Sequence, residues 1–285
     1  MTKGKAARTV ATTALLMSLL TLGSKFLGFV REMVMAGFFG TSYITDSYVM
    51  ALAIPSIIFA GFFSAINTAY LPLYSRVAEK EGAEKGLVFT SQSMNIAFVI
   101  ALVSAAVGFI FSDQIVNIFA SGFTGEKAEL TSKFLKISFS YALFTSQVGL
   151  LEAYLRYKNV FLAPIIIGYI QNVIVILVIF ISAIYDHELL AWGWMLAYIV
   201  QLIATWYISS KHSFNYIFIF RIGGTAKKVA ALSLPVFVGS YIHQINVFID
   251  KTLASRLPEG SVAALNYGNL LVGLITVLTI SIMMT

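Results

Sequence analysis

The chain has 285 residues, of which 59% are hydrophobic and only 11% are charged. Soluble domains are typically about half apolar and about a quarter charged, so this composition excludes an ordinary soluble protein and favours a membrane protein. The absence of cysteine excludes disulfides, thiolate metal ligands and thiol nucleophiles, and a net charge of +6 fits basic cytoplasmic loops without requiring a nucleic-acid partner.

Eight apolar segments are long enough to cross a membrane, which requires about 20 residues for about 30 Å of hydrocarbon. They are Ala11–Gly40, Ile44–Ser75, Leu87–Phe111, Leu130–Tyr154, Val160–Ile184, Leu190–Ser209, Val229–Leu253 and Ser261–Thr285. Two short amphipathic segments, Asp113–Phe123 and Tyr216–Gly224, are expected at the membrane interface. The pattern predicts an all-α polytopic membrane protein with about eight transmembrane helices.

The N-terminus resembles a signal peptide, but no small-residue cleavage pattern ends its apolar run, so we predict a retained first helix. Basic residues are unevenly divided between alternate loops, and loops rich in Lys and Arg face the cytoplasm. One side carries Lys3, Lys5, Arg8, Arg76, Lys80, Lys85, Arg156, Lys158, Lys211, Arg221, Lys227 and Lys228, and the other carries Lys127, Lys133, Lys136, Lys251 and Arg256. The division predicts a multi-pass membrane protein with its N-terminus in the cytoplasm.

A weak internal repeat relates the seventh span to the first. An offset of 218 residues places Arg31 over Ile249 and brings Gly40 beside the Pro258–Gly260 turn. Internal repeats are common in transporters. We therefore predict an N-terminal six-helix lobe at residues 1–222 and the start of a C-terminal lobe at residues 223–285, which contains an interfacial segment and spans seven and eight. On this interpretation the chain is a truncated part of a longer protein.

Ionisable side chains inside the first span are candidates for function, because charge within a bilayer is costly. Lys25 lies roughly 25 Å from Arg8 at 1.5 Å per residue, which is deep in the bilayer. Lys25 and Glu32 share a helix face, and Arg31 lies about a third of a turn away. Lys25 and Arg31 are predicted to face a water-filled cavity and to bind phosphate. Alternatively, Arg31 extends to the outer interface and Glu32 pairs with a neighbour.

Two further acids are candidates for a site. Asp46 is predicted either to contribute to substrate binding or to cap the start of its own helix. Asp250 in the seventh span is interpreted as a cation site for Na⁺ or H⁺, with a simple interfacial charge as the alternative. Glu32 is assigned to a gate or charge pair. The sequence contains no catalytic motif or metal-ligand cluster, so we predict no enzyme activity, no metal and no cofactor.

Several short motifs occur in a fixed order along the chain. They are Ser24–Glu32, Phe39–Gly40, Thr45–Tyr48, Ala53–Pro55, Gln244–Asn246, Asp250–Lys251, Leu253–Ser255, Leu257–Ser261 and Ala264–Tyr267. In these motifs the sequence resembles the MurJ (MviN) lipid II flippase family over its whole length. The resemblance implies a bundle of the MOP exporter type, in which two six-span lobes of a fourteen-span protein surround a central cavity.

The resemblance also implies a function and roles for residues. A member of this family would lie in a bacterial cytoplasmic (inner) membrane. It would move undecaprenyl-pyrophosphate-linked saccharide, such as the lipid II peptidoglycan precursor, across that membrane by alternating access. Arg31 and Lys25 would stand where the family carries cavity arginines, Asp46 would be the acid of its Thr-Asp motif, and Asp250 would match a sodium-binding acid of some relatives. Expected partners are the lipid-linked saccharide, membrane lipids and cell-envelope synthesis enzymes.

The sequence departs from the family pattern at two places. Residues Ser56–Gly61 lack the arginine and glutamate that usually follow Pro55, and Leu270 replaces an arginine after Tyr267. These departures keep other functions open. They are a flippase for another polyprenyl-linked saccharide, such as an exopolysaccharide repeat unit, a multidrug exporter of the same superfamily, and a non-transporting membrane scaffold or partial protein.

Overall fold

The computed structural model describes residues 3–219, 239, 241 and 244–283, and all regular structure within these residues is helical. A short 3₁₀ helix, His187–Leu189, precedes α7. The described part of α8 covers residues 244–255. The other helices are α1 (Lys3–Phe39), α2 (Tyr43–Glu81), α3 (Ala83–Ile110), α4 (Ser112–Phe119), α5 (Gly125–Tyr157), α6 (Leu162–Ile184), α7 (Leu190–Lys211) and α9 (Ser261–Met283).

Five helical segments in the described part of the chain are long and apolar enough to cross a membrane, and they confirm spans two to six. They are Tyr43–Gly61, Ala83–Ile110, Gly125–Tyr157, Leu162–Ile184 and His187–Lys211. With 37 and 23 residues, α1 and α9 also exceed the about 20 residues that a crossing requires. Within the seventh predicted span, residues 229–238, 240, 242 and 243 lie outside the described residues.

The two predicted interfacial segments differ in the structure. The first contains the short helix α4. The second is not helical at residues 216–219, where Tyr216 Oη donates to Asn95 Oδ1 of α3 at 2.5 Å and Asn95 Nδ2 donates to the Ile219 carbonyl at 3.0 Å. The rest of that segment, and the predicted lobe boundary at residues 222 and 223, lie outside the described residues.

Helices α1 to α7, which we call the first lobe, are organised around α5, which packs against α2, α3 and α7, while α6 packs between α1 and α7. We call α8 and α9 together the second lobe. Lipid is as apolar as leucine, so helices in a membrane associate through close packing and not through burial from water. Gly108 of α3 shows this packing, because the ring of Phe139 occupies the place of a side chain there. Large apolar side chains remain exposed on the outside of α3 and α6, among them Val103, Phe109 and Ile184.

Successive helices alternate in direction, so the connections between them gather at two opposite ends of the bundle. We call the "turn end" the end formed by residues 40–46, 111–127, 185–190 and 256–263, and the "basic end" the end formed by residues 75–86, 156–161 and 209–213. At the basic end, Tyr154 Oη donates to the His212 carbonyl at 2.9 Å. The basic end carries six residues of the predicted cytoplasmic set: Arg76, Lys80, Lys85, Arg156, Lys158 and Lys211.

Candidate functional site

Lys25 lies on a face of α1 that the described helices do not cover. Glycines on a neighbouring face let α6 approach closely, with Gly23 against the Tyr169 ring and Gly28 near Asn172. Lys25 is exposed and makes no hydrogen bond or ion pair with the described residues. At 3.6 residues per turn, Lys25 stands about 100° from Phe26 and on the face of Glu32.

The lipid-facing side of α1 is marked by different residues. Phe26 and Met33 are 62% and 56% exposed, and they share one stripe of the helix. Lys25 therefore stands apart from the most apolar stripe, on the stripe that leads toward the second lobe. The prediction that Lys25 faces water and not lipid therefore concerns a different stripe from that of Phe26 and Met33.

We expect a cysteine at position 25 to react with a membrane-impermeant thiol reagent about tenfold faster than a cysteine at position 26, because the reactive thiolate forms only in water. The absence of native cysteine makes Lys25→Cys and Phe26→Cys single-site reporters. The rates are compared in intact membranes with reagent added to one side at a time. Equal, slow labelling at both positions would show that Lys25 is directed into lipid.

Arg31 is held inside the first lobe. Its Nε and Nη2 donate to Glu32 Oε1 at 3.1 and 2.7 Å, and Nη1 donates to Asn172 Oδ1 of α6 at 2.9 Å. The guanidinium carbon lies 4.6 Å from the centre of the Trp194 ring of α7. The Arg31 and Glu32 side chains are only 15% and 13% exposed. Arg31 is therefore fixed between α1, α6 and α7, and Glu32 is its ion-pair partner.

Aromatic side chains hold this cluster in place. Trp194 Nε1 donates to the buried Tyr48 hydroxyl at 2.8 Å, which links α7 to α2. Tyr198 stacks on Trp194 with ring centres 5.8 Å apart. A cation over an indole ring gains about 0.5–2 kcal/mol, depending on desolvation. The rings thus fix the guanidinium at one place, with Glu32 and Asn172 as its acceptors.

Glu32 lies where the first lobe meets α8 and α9. Besides Arg31, it is within electrostatic range of Tyr48 of α2, Tyr267 of α9 and Lys251 of α8. Lys251 is buried, whereas its neighbour Asp250 is exposed. Sequence reasoning assigned no role to Lys251. The sequence feature that could have identified Lys251 as a packed residue is its position about 100° around the helix from Asp250, on the side that carries Phe248 and Thr252.

Asp46 joins the two lobes at the turn end. It is fully buried, and Oδ2 accepts from Lys127 Nζ of α5 at 2.5 Å and from the Gly260 N–H at 2.8 Å. Oδ1 accepts from the Ala263 N–H at 2.7 Å. Two of these donors belong to the start of α9, whose first-turn N–H groups have no partner within the helix. Asp46 therefore caps α9 and at the same time neutralises a lysine of the first lobe.

This arrangement corrects the capping interpretation of Asp46. The residue that precedes α2 is Ser42, whose side chain accepts from the Thr45 N–H at 3.5 Å. Asp46 lies in the first turn of α2 and caps another helix. Both carboxylate oxygens of Asp46 accept hydrogen bonds from the protein itself, so neither is open to a substrate in this structure. The binding role of Asp46 stays a prediction.

Two glycine turns meet beside Asp46. Gly40 and Gly260 adopt φ values of +58° and +87°, which glycine reaches without steric cost. A side chain at Gly260 would collide with the Thr41 carbonyl, so the two turns are in direct contact. Glu259 Oε1 also accepts from the Tyr43 N–H at 2.8 Å. These turns are the ones that the internal repeat aligns.

Asp250 has a different environment from the other acids. It is exposed, as is Asn246 one turn earlier on the same face of α8, and Asp250 makes no hydrogen bond or ion pair with the described residues. Within these residues no group of three or more metal-ligating side chains occurs. Asp250 and Asn246 together offer the carboxylate and amide oxygens of the predicted cation site, on the side away from the first lobe.

The chain matches known proteins of one family. The model of the family described as lipid II flippase MurJ matches residues 35–285. A probable lipid II flippase MurJ of Buchnera aphidicola subsp. Baizongia pistaciae is 29% identical over 273 residues, which cover 91% of this chain and 52% of that protein. The chain thus spans about half the length of this relative.

Solved structures agree with this match. A lipid II flippase MurJ in an inward closed conformation superposes with a TM-score of 0.78 at 28% identity, covering 91% of this chain and 55% of that one. An inward-facing multidrug resistance transporter of the MATE family in the MOP superfamily gives a TM-score of 0.64 at 12% identity, covering 88% and 60%, and shows the shared fold. Because the family model matches nearly the whole chain, this multi-pass membrane protein belongs to the lipid II flippase MurJ family.

Proposed function

We propose that the natural protein that carries this sequence moves lipid II, an undecaprenyl-pyrophosphate-linked saccharide, across the bacterial cytoplasmic membrane by alternating access. Family membership supports the substrate class. The observation that carries the proposal in this chain is the buried charge cluster at the lobe junction, where Arg31 and Glu32 meet α8 and α9.

In this proposal the cations of α1 bind the pyrophosphate. Lys25 is exposed on the α1 face that is free of the described helices, so its mobile charge attracts the anionic headgroup toward the junction. Arg31 offers a planar fork that fits phosphate oxygens. Glu32 now occupies that fork, so the headgroup competes with Glu32 for Arg31. The polyprenyl tail stays in lipid beside the apolar outer surface.

The turn end is proposed to be the outer gate, with the basic end in the cytoplasm. Positive loops favour the cytoplasmic side. The Asp46 junction with Gly260 and Ala263 holds the first lobe to α9 at the opposite end. A substrate released outward must pass between the lobes there, so opening requires these hydrogen bonds to break. A Na⁺ or H⁺ site at Asp250 is the proposed coupling site.

A second substrate has specific support from the sequence. Residues 56–61 contain no arginine, and Leu270 stands where the family carries an arginine. Fewer cavity cations suit a headgroup that presents fewer anionic groups beside its pyrophosphate. An exopolysaccharide repeat unit on the same polyprenyl carrier is therefore the alternative substrate.

Translocation in proteoliposomes tests both substrates. The purified natural protein is reconstituted with fluorescent lipid II or with an undecaprenyl-pyrophosphate-linked exopolysaccharide unit. An impermeant enzyme added outside measures the substrate that reaches the outer leaflet. We expect faster transfer of lipid II than in protein-free vesicles. Faster transfer of only the second substrate would support the alternative, and no increase for either would refute the flippase proposal.

A further inference from the structure

A lysine is buried at the junction of the lobes without a direct partner. Lys251 of α8 is only 8% exposed, although lysine is almost never buried unless it is paired. Its ammonium group forms no hydrogen bond or ion pair with the described residues. Burial of an unpaired charge is costly, so such a residue indicates a site that an anion completes.

The packing of α8 fixes the position of this lysine. Thr252 Oγ1 donates to the Phe119 carbonyl at 2.8 Å, and the rings of Phe248 and Phe119 lie 4.7 Å apart. Gly122 has no side chain, which allows its backbone to lie against Ser255. These contacts with the end of α4 set the rotation of α8. Lys251 is thereby held in the buried interface and not on the exposed face of Asp250.

Lys251 and Arg31 belong to different lobes and both interact electrostatically with the Glu32 carboxylate. Glu32 accepts from Arg31 Nη2 at 2.7 Å and is within electrostatic range of Lys251. Side chains tilt toward the N-terminus of their helix, so Lys251 extends away from the turn end toward the depth of Glu32. The carboxylate of Glu32 thus lies in the field of two cations, and only one of them contacts it directly.

We propose that Lys251 is a second phosphate-binding cation of the substrate site, supplied by the C-terminal lobe, and that Glu32 holds the place of the substrate phosphate. The inference rests on the proposed function and names the residue that the second lobe contributes. A diphosphate has two anionic groups, so one can bind the fork of Arg31 while the other binds Lys251. Binding then joins the two lobes through the substrate and releases Glu32 from Arg31.

Binding of undecaprenyl diphosphate to the purified natural protein tests this assignment, with undecaprenol as the uncharged control ligand. We expect Lys251→Met to weaken binding about tenfold, as loss of a charge-assisted hydrogen bond does. Lys251→Arg should stay within a few-fold of the unmodified protein. Glu32→Gln should bind more tightly, because a competing anion is removed. The matched control is Lys133→Met, since Lys133 pairs with Glu188 on the surface and is 51% exposed.

The outcomes separate the inference from the function on which it rests. If the unmodified protein binds undecaprenyl diphosphate no better than undecaprenol, the flippase proposal and the role of Lys251 fall together. If Arg31→Ala weakens binding and Lys251→Met does not, only the role of Lys251 is refuted. If Lys251→Met/Glu32→Gln binds as tightly as Glu32→Gln alone, Lys251 merely neutralises Glu32 and its phosphate-binding role is refuted. Should Lys251→Met not fold, weaker binding by Glu32→Gln would still contradict the proposal.

Discussion

Arg31→Ala is expected to reduce transport by about a hundredfold or more, as measured by rescue of a strain depleted of its lipid II flippase. Each charge-assisted hydrogen bond contributes about 1.5–3 kcal/mol, and the guanidinium fork offers two to a phosphate. Arg31→Lys should retain part of the activity, because lysine keeps the charge and loses the planar fork. Arg76→Ala is the matched control, since Arg76 is exposed at the basic end, away from the proposed gate.

A loss of rescue by Arg31→Ala has a second cause that must be separated. The substitution leaves Glu32 buried without its cation, and removal of one partner of a buried pair can cost about 3–5 kcal/mol. The pair variant Arg31→Gln/Glu32→Gln removes both charges and leaves two amide groups that can hydrogen-bond to each other. We expect this variant to reach the membrane in normal amounts and still fail to transport. Full rescue by the pair variant would contradict the phosphate-binding role of Arg31.

Asp46→Ala is expected to destabilise the junction of the lobes by about 2–4 kcal/mol. The loss of a helix cap costs about 1 kcal/mol. The substitution also leaves Lys127 unpaired, which adds to the cost. This addition is smaller than for a fully buried lysine, because the Lys127 side chain is 16% exposed and can be hydrated. The thermal midpoint of the purified protein should therefore fall. The thermal midpoint of Asp46→Asn should fall less than that of Asp46→Ala, since the amide oxygen still accepts a hydrogen bond from an N–H group of α9.

The same substitution should open the turn end to water. Val262 is fully buried beside the Asp46 junction. The 285-residue sequence contains no cysteine, so Val262→Cys introduces a single thiol whose labelling reports on this opening. We expect Asp46→Ala to increase labelling of this cysteine by an impermeant reagent about tenfold. Asp186→Ala is the control, because Asp186 caps only the exposed 3₁₀ helix. Unchanged labelling together with an unchanged midpoint would remove Asp46 from the proposed gate.

The sequence predicted the positions of the helices well and the contacts between their side chains poorly. Apolar length located spans two to six, because a membrane crossing imposes about 20 apolar residues whatever the helix packs against. It also selected Lys25 and Arg31, since charge at bilayer depth is conspicuous in an apolar run. It did not predict Asn172 or Trp194 as partners of Arg31, because these residues lie more than a hundred positions away and carry no motif.

The internal repeat shows how far periodicity alone can lead. Alignment of Gly40 with the turn at Gly260 predicted two corresponding turns, and both glycines have positive φ. It did not predict that the turns touch, or that Asp46 of one turn caps the helix after the other. Those contacts depend on how two lobes pack, and a linear pattern holds no information about that packing.

The amino-acid sequence by itself determined a helical multi-pass membrane protein, the approximate spans and the charged residues within α1, because hydrocarbon solvent acts on each segment separately. Only the tertiary structure decided which charges meet. It placed Glu32 against Arg31, turned Asp46 toward α9, and buried Lys251 while leaving Asp250 exposed. The physical reason is that a charge in a membrane is stabilised by its neighbours in space, and the rotation and contacts of packed helices choose those neighbours.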